Sequence, residues 1–261
     1  MHIEPIKGAY TLFMILAGIT VIAGSLLYSL KRGLPFKQIL YCLLIMFVSA
    51  LIGARLLNVL INFSVYATEP AKIFVFNTTG FSLYGGIIFA VISGIISAKT
   101  FRINIWKFGD TVIPFVGIGI ALMRIGCFLN GCCFGKETNL PWGVIYPNSS
   151  ISGIYHITEN PFSFTREIAV HPTQIYEMTA ALIGAFVAFY LIRKKTTHGA
   201  AFFAFALWFT AFRWFNLYFR ESPGTFSEIN YFYPLLYFSI IMIVLFFSPF
   251  ISPIKKLSKT T

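Results

Sequence analysis

The chain has 261 residues, of which 57% are hydrophobic and only 11% are charged. Its mean hydropathy of +0.77 lies far above that of a soluble domain, and such a chain cannot present a polar surface to water. A net charge of +11 would suggest nucleic acid in a soluble protein. Here the cations lie in short loops beside apolar runs, where anionic lipid and insertion topology explain them. We therefore expect the lipid bilayer as a partner and no nucleic acid.

Seven apolar runs are bounded by charged residues or by Gly and Pro, and each is long enough to cross the hydrocarbon as a helix. The first lacks a small-residue cleavage site, so we expect a span rather than a removable signal peptide. The sequence predicts an all-α membrane protein with about seven transmembrane helices, in a single transmembrane domain over residues 1–261. The runs cover about residues 9–30, 38–63, 81–98, 110–130, 172–192, 199–219 and 231–251.

The distribution of Lys and Arg orients these helices. Of the 20 such residues, twelve lie in loops on one side and five on the other, and Arg55, Arg124 and Arg213 fall within or at the ends of spans. Positively charged loops stay in the cytoplasm. The N-terminus is therefore expected outside and the C-terminus in the cytoplasm. The longest polar segment, at about residues 131–171, then lies on the extracytoplasmic side.

Ionisable side chains within spans need a partner, a wet cavity or a substrate. Asp110 is expected at the cytoplasmic start of the fourth helix, where the helix dipole favours a carboxylate. Arg124 and Arg213 lie near the outer ends of apolar helices, without acids close in sequence. Their forked guanidiniums suit a bound phosphate. Alternatively, each pairs with Glu177 or with carbonyls at a helix end, and the sequence leaves both interpretations open.

The segment after Arg124 reads Ile-Gly-Cys-Phe-Leu-Asn-Gly-Cys-Cys-Phe-Gly. Its glycines allow the helix to break into irregular backbone, which is tolerated at membrane depth only where it lines a cavity. The four cysteines, with Cys42 the most distant, are too few for a disulfide framework. We also expect no metal site, because adjacent Cys132 and Cys133 lack the two-residue spacer that lets both sulfurs reach one zinc ion.

Two further motifs lie at outer helix ends. The stretch His-Pro-Thr-Gln-Ile-Tyr-Glu opens the fifth run and places His171, Gln174 and Glu177 on one helical face, as a polar wall. Tyr84-Gly85-Gly86 opens the third run. This glycine pair either admits a lipid headgroup close to the backbone or permits close helix packing.

Together, these motifs resemble the prolipoprotein diacylglyceryl transferase family. The strongest match runs from Arg124 to Pro147, and Tyr84-Gly85-Gly86 precedes it while His171 to Glu177, Phe-Arg213 and Phe-Arg220-Glu follow in order. The resemblance implies phosphatidylglycerol as the donor and the signal peptides of prolipoproteins as acceptors. The lipobox thiol attacks the glycerol carbon bearing the phosphate, which forms a thioether and expels glycerol phosphate, without metal or cofactor.

The resemblance also implies a location and a set of site residues. It places a multi-pass protein in the bacterial cytoplasmic membrane, with a cavity open to the outer leaflet. Catalytic roles fall to Arg124, Arg213, Tyr84 and Glu177. Substrate-binding roles fall to Tyr10, Gly85, Gly86, Asn130, Gly131, His171, Gln174 and Tyr176.

Some positions depart from the usual family pattern. Tyr84 stands where well-known members have His, Cys127 and Cys132 stand where Asn and a carboxylate are common, and Leu217 replaces a Glu. The Cys-Cys and Tyr-Gly-Gly combination resembles a subgroup of the family. If Tyr84 only binds the donor, Glu177 or a donor phosphate oxygen would accept the thiol proton. Two alternatives are a same-fold paralogue with another acceptor or phospholipid, and a non-catalytic lipid-binding or transport protein.

Overall fold

The computed structural model describes residues 2–6, 8–74, 82–147, 150, 152, 168–221 and 232–247. In these ranges a π-helical turn, Thr20–Gly24, joins the first two helices, and a 3-10 helical turn, Pro70–Phe74, follows the fourth. Two short antiparallel strands, β1 (Val144–Ile145) and β2 (Ala169–Val170), pair with Val144 opposite Val170. The α-helices described are α1 (Ala9–Ile19), α2 (Ser25–Lys31), α3 (Phe36–Ile61), α4 (Phe63–Thr68), α5 (Leu83–Thr100), α6 (Ile105–Leu129), α7 (Thr173–Arg193), α8 (Ala200–Asn216) and α9 (Phe232–Phe247).

Four helical stretches are long and apolar enough to cross a membrane: Ala9–Lys31, Phe36–Ile61, Ile105–Leu129 and Thr173–Arg193. Helices satisfy their own backbone hydrogen bonds, so they can place such apolar side chains in lipid. Large apolar side chains such as Phe186 stay exposed on these helices, as lipid contact requires. The predicted all-α membrane fold is confirmed at this level, and the number of seven spans stays a prediction.

Each of the seven predicted apolar runs contains a helix, with boundaries that differ by a few residues. The largest difference at a helix start is in α6, which begins at Ile105 rather than at residue 110. Asp110 is therefore the sixth helical residue and lies beyond the first turn, where the helix dipole is strongest. The expectation that Asp110 starts this helix was wrong, because Asn104 precedes the helix and accepts a hydrogen bond from the Lys107 N–H.

The described helices fall into two compact units, and the first comprises Ile22–Thr111. There α3 and α5 pack through glycines: a Cβ on Gly85 would overlap the carbonyl oxygen of Gly53 and lie 2.6 Å from Leu57 Cβ. Arg55 donates hydrogen bonds to the carbonyls of Lys72 and Ile73. The charged side chain of Arg55 therefore binds backbone carbonyls of the 3-10 helical turn in its own unit.

The second unit comprises Met1–Val21 and Val112–Thr261 and contains the polar residues near the end of α6. Small residues bring its helices close together: a Cβ on Gly117 would lie 2.9 Å from the Ala181 carbonyl oxygen and 2.7 Å from the Phe205 ring. The strand pair sits over a small core that includes Phe134 and Val170. This packing sets α6 and α7 side by side, which positions the site described below.

We expect Gly85→Ala to destabilise the protein, because its methyl group would enter the backbone of α3. Overpacking of this kind costs about 1–3 kcal/mol. Gly18→Ala is the matched control, because a Cβ there meets no atom within 4 Å and Ala favours a helix. Thermal unfolding in detergent, followed by circular dichroism, should show a lower midpoint for the Gly85 variant only. Equal midpoints for the two variants would contradict the close packing of α3 on α5.

Candidate active site

The centre of the site is the carboxylate of Glu177 on α7, of which only 2% is exposed. Arg213 donates from Nη1 to both carboxylate oxygens at 2.7 Å. Asn216 Nδ2 and Arg220 Nη1 donate to Oε1 at 2.9 and 3.3 Å. Arg124 Nε lies 2.5 Å from Oε2, an ion pair that lacks the angle of a hydrogen bond. One carboxylate therefore contacts three guanidiniums.

We call Arg124, Glu177, Arg213 and Arg220 the arginine cluster. The side chains of Arg124 and Arg213 are 5% and 11% exposed, so the charges are largely removed from water. Three cations and one anion leave the cluster with two positive charges in excess. Such an excess is costly in a low dielectric and favours binding of an anion, and guanidinium forks match phosphate oxygens. The structure thus shows the arginines paired with Glu177, and their binding of a phosphate stays a prediction.

Arg213 is held from a second side by Tyr237 on α9. The phenol oxygen accepts hydrogen bonds from Arg213 Nε at 3.3 Å and Nη2 at 3.1 Å. Glu177 and Tyr237 together orient this guanidinium, although the residue one turn further along is Leu217. Asn216 and Tyr237 were not predicted as site residues, because a single amide or phenol in an aromatic-rich run carries no periodic signal.

The chain leaves α6 through a tight turn that brings three cysteines together. Gly131 and Cys133 have positive φ angles of 68° and 60°, and the Cys132 N–H donates back to the Cys127 carbonyl. The first residues of α7 then fix the turn: Thr173 Oγ1 donates to the Cys133 carbonyl at 2.8 Å and Gln174 Nε2 to that of Cys132 at 2.7 Å. The Gln174 side chain therefore holds the backbone of the cysteine turn in place.

The sulfurs of Cys127, Cys132 and Cys133 all lie within 4.8 Å of one another. Adjacent Cys132 and Cys133 therefore bring their sulfurs close together without a two-residue spacer, contrary to expectation, in a turn where Cys133 has a positive φ angle. Arg124 Nη1 lies 3.7 Å from Cys127 Sγ and joins the cysteines to the arginine cluster. Hydrogen bonds with the Cys127 and Cys132 thiols, aided by Arg220 and Arg124, hold the pKa of Cys133 well below its usual range.

Three predicted binding residues border this region. Tyr10 on α1 packs against α6, since a Cβ on Gly126 would lie 3.2 Å from Tyr10 Cα. Tyr10 also interacts electrostatically with Arg124. Asn130 directly follows α6, where its N–H donates to the Gly126 carbonyl, and Gly131 comes next in the left-handed conformation that the turn requires. All three therefore lie beside the cysteines.

His171 and Tyr176 form a neighbouring aromatic group with Trp142 and Phe219. His171 Nδ1 lies 3.2 Å from the Tyr176 hydroxyl, and Trp142 Nε1 donates to that hydroxyl at 2.9 Å. The rings of His171 and Phe219 are 5.1 Å apart. Burial lowers the pKa of His171, so its ring is neutral near pH 7. The predicted polar wall is therefore divided: only Glu177 meets the arginines, while His171 contacts aromatic side chains.

The motif at the start of α5 belongs to the other unit. The side chain of Tyr84 lies outside the described residues. The space beside Gly85 and Gly86 is filled by α3, with Ala50 and Ala54 next to Gly86. The structure thus favours helix packing as the reason for these two glycines, and their role in binding a headgroup stays a prediction.

Comparison with models of known families matches residues 2–251 to the one described as prolipoprotein diacylglyceryl transferase. The chain belongs to this family. Membership covers nearly the whole length, including α6, α7 and α8, which carry the arginine cluster. The assignment to this family therefore rests on the chain as a whole and not on one short motif.

Curated relatives in the prolipoprotein diacylglyceryl transferase family carry the name phosphatidylglycerol–prolipoprotein diacylglyceryl transferase. The Clostridioides difficile protein is 33% identical over 197 residues, which are 72% of this chain and 71% of the relative. The Clostridium tetani protein is 31% identical over 195 residues, 75% and 73% of the two chains. The Geobacter sulfurreducens protein is 28% identical over 200 residues, 74% and 70%.

We expect Glu177→Gln to lower stability strongly, because three guanidiniums would lose their common anion. Removing one partner of a buried ion pair costs about 3–5 kcal/mol. Glu69→Gln is the matched control: it breaks an exposed pair with Lys72, worth less than about 1 kcal/mol. The free energies of unfolding can be compared by denaturant titration in mixed micelles. A loss as small as that of the control would show that the arginines do not depend on Glu177.

Proposed function

We propose that this chain transfers the diacylglyceryl group of phosphatidylglycerol to the lipobox cysteine of prolipoproteins, as its relatives are named for doing. The observation that supports this best is the excess of two positive charges in the arginine cluster. A transferase of this kind expels glycerol phosphate, so it must stabilise negative charge on a departing phosphate.

In the proposed reaction, the thiolate sulfur attacks the glycerol carbon and the bond from that carbon to the phosphate oxygen breaks. Arg124 and Arg213 stabilise the charge that develops on this oxygen. Both guanidiniums are already oriented before the reaction, because Glu177 holds Arg124 and Arg213. Preorganised groups of this kind need little rearrangement in the transition state. Glu177 is engaged by these contacts, so we assign it to positioning the arginines rather than to accepting the thiol proton.

We assign substrate binding to the residues around the arginine cluster. Tyr10, Asn130 and Gly131 border the cysteines and the end of α6, within reach of a bound headgroup. His171 and Tyr176 offer a neutral imidazole and a phenol beside aromatic rings, which suits an acceptor peptide. Tyr84 at the start of α5 is proposed to contact the donor.

The proposed topology has seven spans in a single membrane domain, with the N-terminus outside and the C-terminus in the cytoplasm. It places the arginine cluster toward the outer leaflet of the bacterial cytoplasmic membrane, and the segment at about residues 131–171 outside. Because precursors present their signal peptides from that membrane, donor and acceptor would reach the site laterally.

Arg124→Ala should abolish product formation. Purified protein is given phosphatidylglycerol and a lipobox peptide, and mass spectrometry follows the diacylglyceryl adduct while released glycerol phosphate is assayed. Loss of one preorganised donor of this kind lowers the rate by at least about 100-fold. Arg193→Ala is the control, because it removes an exposed arginine at the far end of α7 and should leave the rate unchanged.

Other results of this assay would favour the alternatives. Well-folded protein that is silent with phosphatidylglycerol but active with another phospholipid or acceptor would indicate a same-fold paralogue. Lipid binding without turnover in any mixture would indicate a lipid-binding or transport protein. Equal rates for Arg124→Ala and Arg193→Ala would contradict the role of the arginine cluster.

A further inference from the structure

The three thiols at the end of α6 are not used by the arginine chemistry described above. We propose that Cys127, Cys132 and Cys133 bind one zinc ion, and that the open fourth position of this ion binds and activates the lipobox thiol. The second half of this proposal rests on the proposed function, since that function supplies the thiol. The zinc site itself rests on the geometry of this chain.

The sulfur positions fit a zinc site. A Zn–S bond of about 2.3 Å in tetrahedral geometry places two sulfurs about 3.8 Å apart. The three sulfurs here all lie within 4.8 Å of one another without any ion between them. Zinc binding would shorten these separations by about 1 Å or less, a change within the reach of small side-chain rotations.

The backbone that carries the sulfurs is held in place by buried groups. Thr173 and Gln174 are each 1% exposed, and they donate to the carbonyls of Cys133 and Cys132. Positive φ angles at Gly131 and Cys133 complete the turn. Such fixed surroundings lower the ordering cost of metal binding and orient its ligands. Two hydrogen bonds from the start of α7 therefore serve the geometry of the thiols.

The site is closed on one side and open on the other. Cys127 is 2% exposed, whereas Cys132 and Cys133 are partly exposed. Within the part of the chain that the structure describes, no His, Asp, Glu or further Cys joins these three cysteines as a fourth ligand. Structural zinc sites have four protein ligands, whereas catalytic sites have three and leave a position for water or substrate. Three cysteine ligands, two of them partly exposed, correspond to a zinc site of the catalytic type.

The charge of the surroundings also suits such a site. Three thiolates and a zinc ion carry a net charge of −1, which an apolar environment tolerates only beside a cation. Arg124 supplies that cation, with Nη1 3.7 Å from Cys127 Sγ. The same guanidinium contacts Glu177 and faces the proposed phosphate. The metal-bound thiolate and the departing phosphate would then lie on two sides of one arginine.

Zinc would supply the deprotonation that Glu177 cannot. When the lipobox thiol binds to zinc it loses its proton to solvent, because a coordinating thiol is held as thiolate. Its sulfur then forms a bond to the glycerol carbon, and the carbon–oxygen bond to phosphate breaks. The electron pair of that bond leaves with the phosphate oxygen. The thioether product is an uncharged, weaker ligand and is replaced by water, with no change in oxidation state.

The first test is metal content. Full-length protein is purified in detergent with reductant, incubated with zinc and dialysed to remove unbound metal. Inductively coupled plasma mass spectrometry should then find one zinc ion per chain. Cys133→Ser, close in size to the native residue, should weaken zinc binding at least tenfold against a competing chelator. Cys42→Ser is the matched control, because it removes a buried thiol of α3 that is not part of the group. Circular dichroism and gel filtration check that each variant is folded.

The second test concerns the fourth position and needs no turnover. Cobalt replaces zinc, and the thiolate-to-cobalt absorption is recorded while a lipobox peptide is added without phospholipid. The absorption should rise as a fourth thiolate joins the metal. The same peptide with Ser in place of its Cys should leave the spectrum unchanged. When metal-free protein is given both substrates, adding zinc should raise the rate of product formation at least tenfold.

The outcomes separate this proposal from the transferase function. Wild type that binds no zinc, or zinc affinity that is equal in wild type and Cys133→Ser, would overturn the zinc site. Full activity in metal-free protein would overturn the zinc role and leave the transferase function intact. A cobalt signal that responds to the peptide, without product from any form of the protein, would support the site and contradict the transferase function.

Discussion

The structure around the site depends on one ion network, in which the carboxylate of Glu177 contacts three guanidiniums. Each guanidinium comes from a different part of the chain: Arg124 from α6, Arg213 from α8 and Arg220 from the turn after α8. Charges with so little exposure to water are tolerated only when they are paired. The network therefore ties α6, α8 and the turn after α8 to α7.

The same network is the basis of the proposed phosphate binding. A single carboxylate cannot neutralise three guanidiniums, so two positive charges remain in surroundings of low dielectric. A departing phosphate ester gains one negative charge as its bond to carbon breaks. The attraction is therefore greater after bond cleavage than before it, which is the condition for lowering a barrier rather than only tightening substrate binding. Glu177 contributes by reducing the charge excess to a level that the fold can tolerate.

Much of the fold could be predicted from the sequence, because a span requires a long apolar run and such runs are readable. Arg124, Arg213 and Glu177 were also identifiable, since ionisable residues in apolar runs are rare and costly. Which side chains meet was harder. His171 and Glu177 share a helical face by spacing, yet one contacts aromatic rings and the other the arginines. The three sulfurs meet in a turn that has positive φ angles at Gly131 and Cys133, and no spacing rule encodes such a turn.

Leu217 illustrates how the network changes the meaning of a single position. A carboxylate at 217 would lie one turn beyond Arg213 and could orient it within the same helix. In this chain Glu177 orients that arginine from α7 and Tyr237 orients it from α9. A second carboxylate would add little orientation and would cancel one of the two excess charges. An apolar residue at 217 is therefore compatible with the proposed phosphate binding, because it leaves the excess positive charge in place.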